Sequence, residues 1–241
     1  MQIEGRNPVY ETLKSDNKVT VLYIQSRSVK TDKIRKIISA AHKKGVRIKK
    51  IGANKLRKIS KTKNHQGVIA KVVRKFFKLE ERIKYLETIK KDPFFVILQE
   101  TLYQQNLGAI IRSAECAGCN SIILSKKIHL TSEAVRASMG ATEHIPLIKA
   151  NIFNAIKILK NYFIPIVGLE ASGRHNIFET NLKGPIAFFI GSEHAGITKS
   201  FIKKCDIVIN IPLFGKINSL NMSNATAIAL YEKVRQELAS R

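Results

Sequence analysis

Hydrophobic positions in the first third of the chain alternate between the helical and the strand period. The predicted elements are helices over Pro8–Lys14 and Thr31–Lys44, the latter ending at Gly45, and strands over Val19–Ile24, Val46–Ile51 and Gly67–Val73. Between Arg74 and Lys91 charged residues become frequent and apolar positions sparse, which is typical of an exposed linker. The pattern predicts a small α/β domain, residues 1–74, and a linker, residues 75–91.

After Pro93 the hydrophobic pattern changes to short runs that are almost wholly apolar. The predicted strands are Phe94–Gln99, Ser121–Leu124, Phe163–Leu169, Ile186–Ile190 and Ile207–Ile211. Continuous apolar strands separated by helical segments are typical of a parallel sheet covered on both faces. Residues 92–241 are therefore predicted to form a second α/β domain with a mostly parallel sheet.

The charge is large and unevenly distributed. The 241 residues include 42 Lys and Arg against 18 Asp and Glu, a net charge of +24. Residues 1–91 hold 26 basic and 7 acidic side chains, whereas residues 92–241 hold 16 and 11. This excess favours a polyanionic partner, nucleic acid first, over a basic surface that is merely solvated. The asymmetry indicates capture by the first domain and chemistry in the second.

The sequence carries no signal for export or membrane insertion. No apolar run has the length needed to span a bilayer, and the first residues lack the order of a signal peptide. The three cysteines fit a reducing compartment, so a cytoplasmic protein is predicted. Cys116 and Cys119 form a C-x-x-C, but without a second such pair it does not predict a metal or redox site.

Ligands of open α/β sheets bind beyond the carboxyl ends of the strands, so the segments that follow the apolar runs are the candidates for chemistry. After Phe94–Gln99 come Asn106 at a predicted helix start and Arg112 six residues later. Helix capping by Asn106 and an ordinary surface position for Arg112 are the structural alternatives. This segment alone does not establish a site.

A glycine-bounded turn, Gly191–Gly196, follows the strand Ile186–Ile190. It nearly matches a phosphate-binding P-loop, but Ile197 occupies the position of the essential lysine, which argues against a nucleotide triphosphatase. The turn can still bring backbone close to a ligand, with Glu193 holding a hydroxyl or an amine. An exposed glutamate in a helix-capping loop is the alternative.

The segment Ile211–Ala225 is the strongest candidate. A strand end and a proline lead into a loop rich in small polar residues, which opens a predicted helix over Thr226–Leu238. Its backbone amides and hydroxyls suit a ligand with many hydrogen-bonding edges. Capping would explain one of Ser219, Asn221 and Ser223, but not all of them.

These three segments, in this order, resemble the three signature motifs of the SpoU family of knotted RNA methyltransferases. Ser138–Leu147 resembles a further family segment, and Gly5–Val9 with His65–Val68 resembles the N-terminal substrate domain of its RlmB-like branch. The resemblance covers nearly the whole chain. It departs from the family where an Asp-Pro pair usually precedes the first motif, since this chain has Tyr103-Gln104 there.

The resemblance implies an N-terminal RNA-binding domain, a C-terminal SPOUT domain with a trefoil knot, and a homodimer with active sites at the subunit interface. Backbone around Gly191, Ile211 and Leu220 is expected to hold S-adenosylmethionine, without a metal. The residues expected around the reacting ribose are Asn106, Arg112, Glu193, Ser219 and Asn221.

The implied reaction is 2'-O-methylation of a guanosine ribose in 23S ribosomal RNA, with transfer RNA as the alternative substrate. A non-catalytic RNA-binding or ribosome-assembly protein is the alternative of a different class. In the catalytic hypothesis Arg112 is the base or the electrostatic activator. Arg6, Asn7 and His65 are expected to contact RNA near the target.

Overall fold

The computed structural model describes residues 1–26, 31–62, 64–101 and 103–240. Its contacts divide the chain into two compact units. Met1–Lys75 and Leu130–His144 form the N-terminal unit, and Phe76–His129 and Ile145–Arg241 form the C-terminal unit. The chain therefore enters the N-terminal unit twice.

The described residues of the first segment of the N-terminal unit form four strands and three helices. They are β1 (Gln2–Glu4), α1 (Arg6–Lys14), β2 (Lys18–Gln25), α2 (Asp32–Lys43), β3 (Ile48–Ile51), α3 (Ala53–Ile59) and β4 (Val68–Val73). The sheet order is β1-β4-β2-β3, in which β4 is antiparallel to both neighbours and β2 and β3 are parallel. The predicted elements are confirmed, with end shifts of one or two residues, and β1 and α3 were missed.

The remaining helices and strands complete both units. They are α4 (Leu79–Thr88), β5 (Phe94–Leu98), α5 (Gln104–Cys116), β6 (Ser121–Ser125), α6 (Ser132–Ala137), β7 (Leu147–Ala150), α7 (Ile152–Asn161), β8 (Ile166–Leu169), β9 (His175–Asn176), β10 (Ile186–Ile190), α8 (Lys199–Ile202), β11 (Ile207–Asn210) and α9 (Met222–Leu238). Of these, α6 belongs to the N-terminal unit, where it packs on β1, and its Val135 enters the hydrophobic core.

The C-terminal unit is built on a seven-stranded sheet of order β7-β6-β5-β10-β8-β11-β9. All of its pairings are parallel. Every residue of β5, β6 and β10 is buried, as expected of strands covered on both faces. The predicted α/β fold with a mostly parallel sheet is thus confirmed, while the knot implied by the resemblance stays a prediction.

The exposed character predicted between Arg74 and Lys91 is wrong for α4. Its Leu79, Ile83 and Leu86 are buried in the core of the C-terminal unit. They lie on one helical face, since their spacing of four and three residues matches the helical period. Most of the charged residues between them, Glu80, Glu81 and Lys84, are exposed, and these charges conceal the apolar face in the composition.

One predicted strand begins too early. The run Phe163–Leu169 forms a strand only from Ile166, and Phe163 is 90% exposed with a φ of 53°. A left-handed conformation does not continue a strand, which explains the later start. The short strands β7 and β9 were missed.

Candidate active site

Four neighbouring strands bring the candidate segments to one edge of the C-terminal sheet. Strands β5, β10, β8 and β11 are adjacent and parallel, so their carboxyl ends lie side by side. The segments that follow them begin at Gln99, Gly191, Glu170 and Ile211. The sheet therefore gathers residues that are far apart in sequence, as expected for ligand sites in parallel α/β sheets.

The turn Gly191–Gly196 is closed on itself. The Ser192 amide donates to the Gly196 carbonyl at 2.8 Å, and the Gly196 amide returns the bond at 3.1 Å. A Cβ at Gly191 would lie 2.1 Å from the backbone carbon of Gly196, so no other residue fits there without movement. The Glu170 carboxylate secures the end of the turn by accepting from the Ile197 amide at 2.7 Å.

A chain of hydrogen bonds links three of the predicted residues. The Asn106 amide group donates to Glu193 Oε1 at 2.8 Å, and Asn221 Nδ2 donates to Asn106 Oδ1 at 3.2 Å. The Thr101 hydroxyl also donates to Glu193 Oε1, at 3.1 Å. The three signature segments therefore converge on one polar network, which we term the Glu193 network.

The first residues of α5 and α9 show whether Asn106 and Asn221 serve as helix caps or take part in the site. Tyr103 stands at the N-cap of α5, so Asn106 lies inside the helix and capping does not explain it. Asn221 is the N-cap of α9, where its side chain accepts from the Ser223 amide at 2.9 Å, and it joins the Glu193 network as well. Tyr103 makes no side-chain capping bond, so the departure from the family's Asp-Pro leaves α5 without a polar cap.

A cavity of about 350 Å³ lies beside this network, and we term it the glycine-loop cavity. The predicted residues among those that line it are Gly191, Glu193, Ile211, Ser219 and Leu220. Its volume lies within the range of small-molecule sites. Asn106 and Asn221 join it through the Glu193 network.

Arg112 is placed differently from the other predicted residues. It lies on the exposed side of α5, opposite the buried Ile110 and Ile111, and it is not among the described residues that line the glycine-loop cavity. Within one chain the structure therefore assembles the predicted site without its arginine.

Sequence reasoning missed two polar residues of this edge, Thr101 and Glu170. Each follows its strand within three residues, and each uses its side chain to hold a neighbouring segment. Their position just beyond a buried strand was the available signal, but neither belongs to a glycine-rich or amide-rich segment.

Two of the N-terminal residues expected near RNA meet at one turn of the N-terminal unit. Arg6 donates from its backbone amide to Gln66 Oε1 at 3.0 Å and from its Nε to the Gln66 carbonyl at 3.1 Å. His65 Nδ1 accepts from the Gly67 amide at 3.0 Å. The two family-like segments of this unit are therefore joined by direct hydrogen bonds.

The C-x-x-C segment is split between surface and core. Cys116 is exposed, whereas Cys119 is buried, and burial raises the pKa of its thiol, which disfavours the thiolate. Among the described residues no cluster of three His, Cys, Asp or Glu side chains could hold a metal ion. In the described ranges no helix is both long and apolar enough to cross a membrane.

Two family models match this chain, one over each of its two parts. The model of the SpoU rRNA Methylase family matches residues 93–231, and the model described as RNA 2'-O ribose methyltransferase substrate binding matches residues 2–77. The chain therefore belongs to the SpoU rRNA methylase family.

Relatives match over nearly the full length. The chain is 36% identical to the putative TrmH family tRNA/rRNA methyltransferase YacO of Bacillus subtilis, over 96% of this chain and 94% of that protein. It is 31% identical to the 23S rRNA (guanosine-2'-O-)-methyltransferase RlmB of Haemophilus influenzae, over 99% of each. The fold is similar to that of the SpoU methyltransferase AviRb from Streptomyces viridochromogenes in complex with AdoMet, with a TM-score of 0.86, 23% identity and coverage of 100% of this chain and 91% of that one.

Proposed function

We propose that the protein transfers a methyl group from S-adenosylmethionine to the 2'-oxygen of a guanosine ribose in 23S ribosomal RNA. The observation that carries this proposal is the glycine-loop cavity with the Glu193 network beside it. The name of the Haemophilus relative, which matches over the whole chain, supports the guanosine of 23S RNA. The two matching family models support the reaction class.

The residues of the glycine-loop cavity fit the methyl donor. Apolar side chains such as Ile190 and Leu213 suit an adenine ring, and the backbone around Gly191, Ile211 and Leu220 offers hydrogen bonds to its edges. When bound, S-adenosylmethionine supplies an electrophilic methyl group on a sulfonium. These residues bind the donor and exclude water from it.

Substitution of Gly191 tests this assignment. Gly191→Ala is expected to weaken S-adenosylmethionine binding at least about tenfold, because the added Cβ meets the backbone of Gly196 and displaces the turn. Gly52→Ala is the matched control, since no atom lies within 4 Å of its added Cβ. Calorimetric titration with the donor gives both affinities, and unchanged binding in Gly191→Ala would place the donor elsewhere.

The side chains around the ribose position it and stabilise charge. The Glu193 network fixes Asn106 and Asn221, and Ser219 adds a hydroxyl at the cavity. Holding the 2'-oxygen in line with the methyl group supplies much of the rate. The guanidinium of Arg112 stabilises the developing alkoxide as a cation, and the proton of the 2'-hydroxyl passes to solvent water as the methyl group is transferred.

The exposed position of Arg112 supports a site shared between two subunits. In a homodimer the guanidinium of one copy reaches the glycine-loop cavity of the other. Two inactive variants, Arg112→Ala and Glu193→Ala, are then expected to regain activity when co-folded, because a mixed dimer holds one intact site. No recovery in the mixture would mean that each chain completes its own site.

The basic residues of 1–91 give the RNA affinity of the proposed enzyme. The exposed ones among their 26 positive charges neutralise phosphates, so binding is expected to weaken steeply with salt. Arg6 and His65, joined at one turn, would contact RNA near the target. Transfer RNA is the second candidate substrate, because the name of the Bacillus relative includes it.

The decisive experiment offers both RNAs to the purified protein. Labelled S-adenosylmethionine is added with 23S transcript and, separately, with a transfer RNA pool, and 2'-O-methylation is mapped by resistance to alkaline cleavage. Label at one 23S guanosine is the expected result. Label in transfer RNA alone would contradict the proposed substrate, and RNA binding without label in either would favour the non-catalytic alternative.

A further inference from the structure

A second cavity of about 340 Å³ lies in the C-terminal unit, at the carboxyl ends of β5, β6 and β7. Residues 99–100, 125–127 and 150–153 line it, together with Thr198 and Phe201. We term it the lysine cavity after Lys126 and Lys127. None of its residues belongs to the glycine-loop cavity or the Glu193 network.

Residues that line the lysine cavity are direct neighbours in sequence of residues at the proposed methylation site. Glu100 lines it and directly precedes Thr101, whose hydroxyl donates to Glu193. On the other wall, the Thr198 amide donates to Gln99 Oε1 at 3.3 Å, two residues beyond the glycine turn. A group bound here would therefore be a close neighbour of the reacting nucleotide.

The walls of the lysine cavity combine positive charge with an aromatic surface. Lys126 and Lys127 supply two cations, and α7 begins at the cavity, so its first backbone amides add the positive end of a helix dipole. Phe153 is 47% exposed and packs on Phe201 with ring centroids 4.5 Å apart. Such a ring offers a platform on which a nucleic-acid base can stack.

Two further polar groups point to a ligand with hydrogen-bonding edges. Ser125 is only 7% exposed, and its hydroxyl has no hydrogen-bond partner in the part of the chain that the structure describes. The Ser125 hydroxyl oxygen is closed to solvent, and an unpaired buried hydroxyl is costly, so a small shift of the wall that brings it into contact with a polar ligand is favourable. Glu100, half-buried in the cavity wall, can accept hydrogen bonds from a nucleobase, which has donors, but not from a simple anion, which has none.

We infer that the lysine cavity binds one nucleotide of the RNA substrate beside the methylated one. Its phosphate pairs with Lys126 and Lys127 at the start of α7, its base stacks on Phe153, and its polar edges meet Glu100 and Ser125. This inference rests on the proposed RNA substrate. It assigns the C-terminal unit a share in choosing the nucleotide context, beyond positioning the ribose.

Two variants test the inference by RNA binding, which does not require methyl transfer. Phe153→Ala is expected to raise the Kd for 23S transcript about 5- to 150-fold, the range for removal of a base-stacking ring, while Phe153→Tyr keeps it near wild type. The double variant Lys126→Ala/Lys127→Ala is expected to raise Kd and to reduce the salt slope of log Kd by about 0.7 for each phosphate that is no longer neutralised. Lys157→Ala is the control, an exposed lysine of α7 away from the cavity.

Filter binding gives Kd, and calorimetry confirms that each variant still binds S-adenosylmethionine. If Phe153→Ala does not fold, the double variant Lys126→Ala/Lys127→Ala alone tests whether the lysine cavity binds a nucleotide. Wild-type Kd and salt slope in that variant would overturn the inference, as would failure of the wild-type protein to bind RNA. RNA binding that depends on these residues without any methyl transfer would reject the proposed reaction and keep the nucleotide site.

Discussion

Two carboxylates in this molecule each accept a hydrogen bond from an asparagine side chain, but their surroundings differ. Glu143 of the N-terminal unit accepts from the Asn17 side chain at 2.8 Å, and Glu193 of the C-terminal unit accepts from Asn106 at 2.8 Å. The side chain of Glu143 is fully buried and also forms an ion pair with the buried side chain of Arg74. Glu193 is half-buried and lines the glycine-loop cavity.

The difference shows how burial separates a structural network from a candidate catalytic one. Glu143, Asn17 and Arg74 form what we term the Glu143 network. Its ion pair closes the site to water, and Arg74 also donates to the Thr142 carbonyl at 2.7 Å. In the Glu193 network the asparagines remain beside an open cavity, where a ligand can reach them. We therefore expect the contacts of Glu143 to control the stability of the fold and the Glu193 network to control turnover.

The largest expected effect is on stability, from breaking the buried ion pair. Arg74→Ala should lower the free energy of unfolding by about 3–5 kcal/mol, because it leaves the Glu143 carboxylate buried without its cation. Lys14→Ala is the control, since Lys14 pairs with Glu11 on the surface at 3.8 Å, and it should change stability by less than about 1 kcal/mol. Urea unfolding measures both, and equal effects would abolish the distinction drawn above.

The next effect is on turnover. Arg112→Ala should lower methylation about 10²- to 10³-fold, the usual loss when a group that stabilises transition-state charge is removed. S-adenosylmethionine binding and the unfolding free energy should stay close to wild type, because Arg112 is exposed in its own chain and is proposed to act on the ribose oxygen rather than on the donor. Arg174→Ala, another exposed arginine of the C-terminal unit, is the control for a general loss of charge. Retained turnover in Arg112→Ala would remove it from the mechanism.

A matched pair of amide substitutions compares the two networks directly. Glu193→Gln should lower kcat about tenfold and leave the melting temperature unchanged, whereas Glu143→Gln should lower the unfolding free energy by about 1–3 kcal/mol. The reason is that only Glu143 is sealed from water together with a cation. Thermal unfolding and initial rates on both variants provide the check, and the opposite pattern would assign the structural role to Glu193.

The smallest expected effect is on the stability of the fold at low pH. Burial alone would raise the pKa of Glu4, but hydrogen bonds from Thr62, Lys61, Ser60 and Gln2 outweigh it and lower the pKa below its ordinary 4.5. A carboxylate whose pKa falls on folding stabilises the protein fully above about pH 4.5 and loses this contribution as the pH falls through the folded-state pKa. Glu4→Gln should therefore flatten the acid limb of the stability curve, and an unchanged limb in urea titrations from pH 6 to 3 would contradict this.

The sequence by itself determined the central strands β5, β6 and β10 of the C-terminal unit and the positions of the site segments. A continuous apolar run can be buried on both faces in only a few ways, so β5, β6 and β10 were predicted nearly to the residue. The candidate segments follow such strands, and parallel strands end at one edge. Convergence of Asn106, Glu193 and Asn221 could thus be expected from local pattern and family resemblance.

The tertiary structure alone decided which partners meet across the sequence. Arg74 pairs with Glu143 because Leu130–His144 returns to the N-terminal unit, and no local period records a return of that kind. The buried face of α4 was hidden by its charges, and the exposed place of Arg112 became visible only once α5 was packed. Local periodicity fixes which face of an element is apolar, whereas pairing between distant residues depends on how all elements pack at once, and that is settled only in three dimensions.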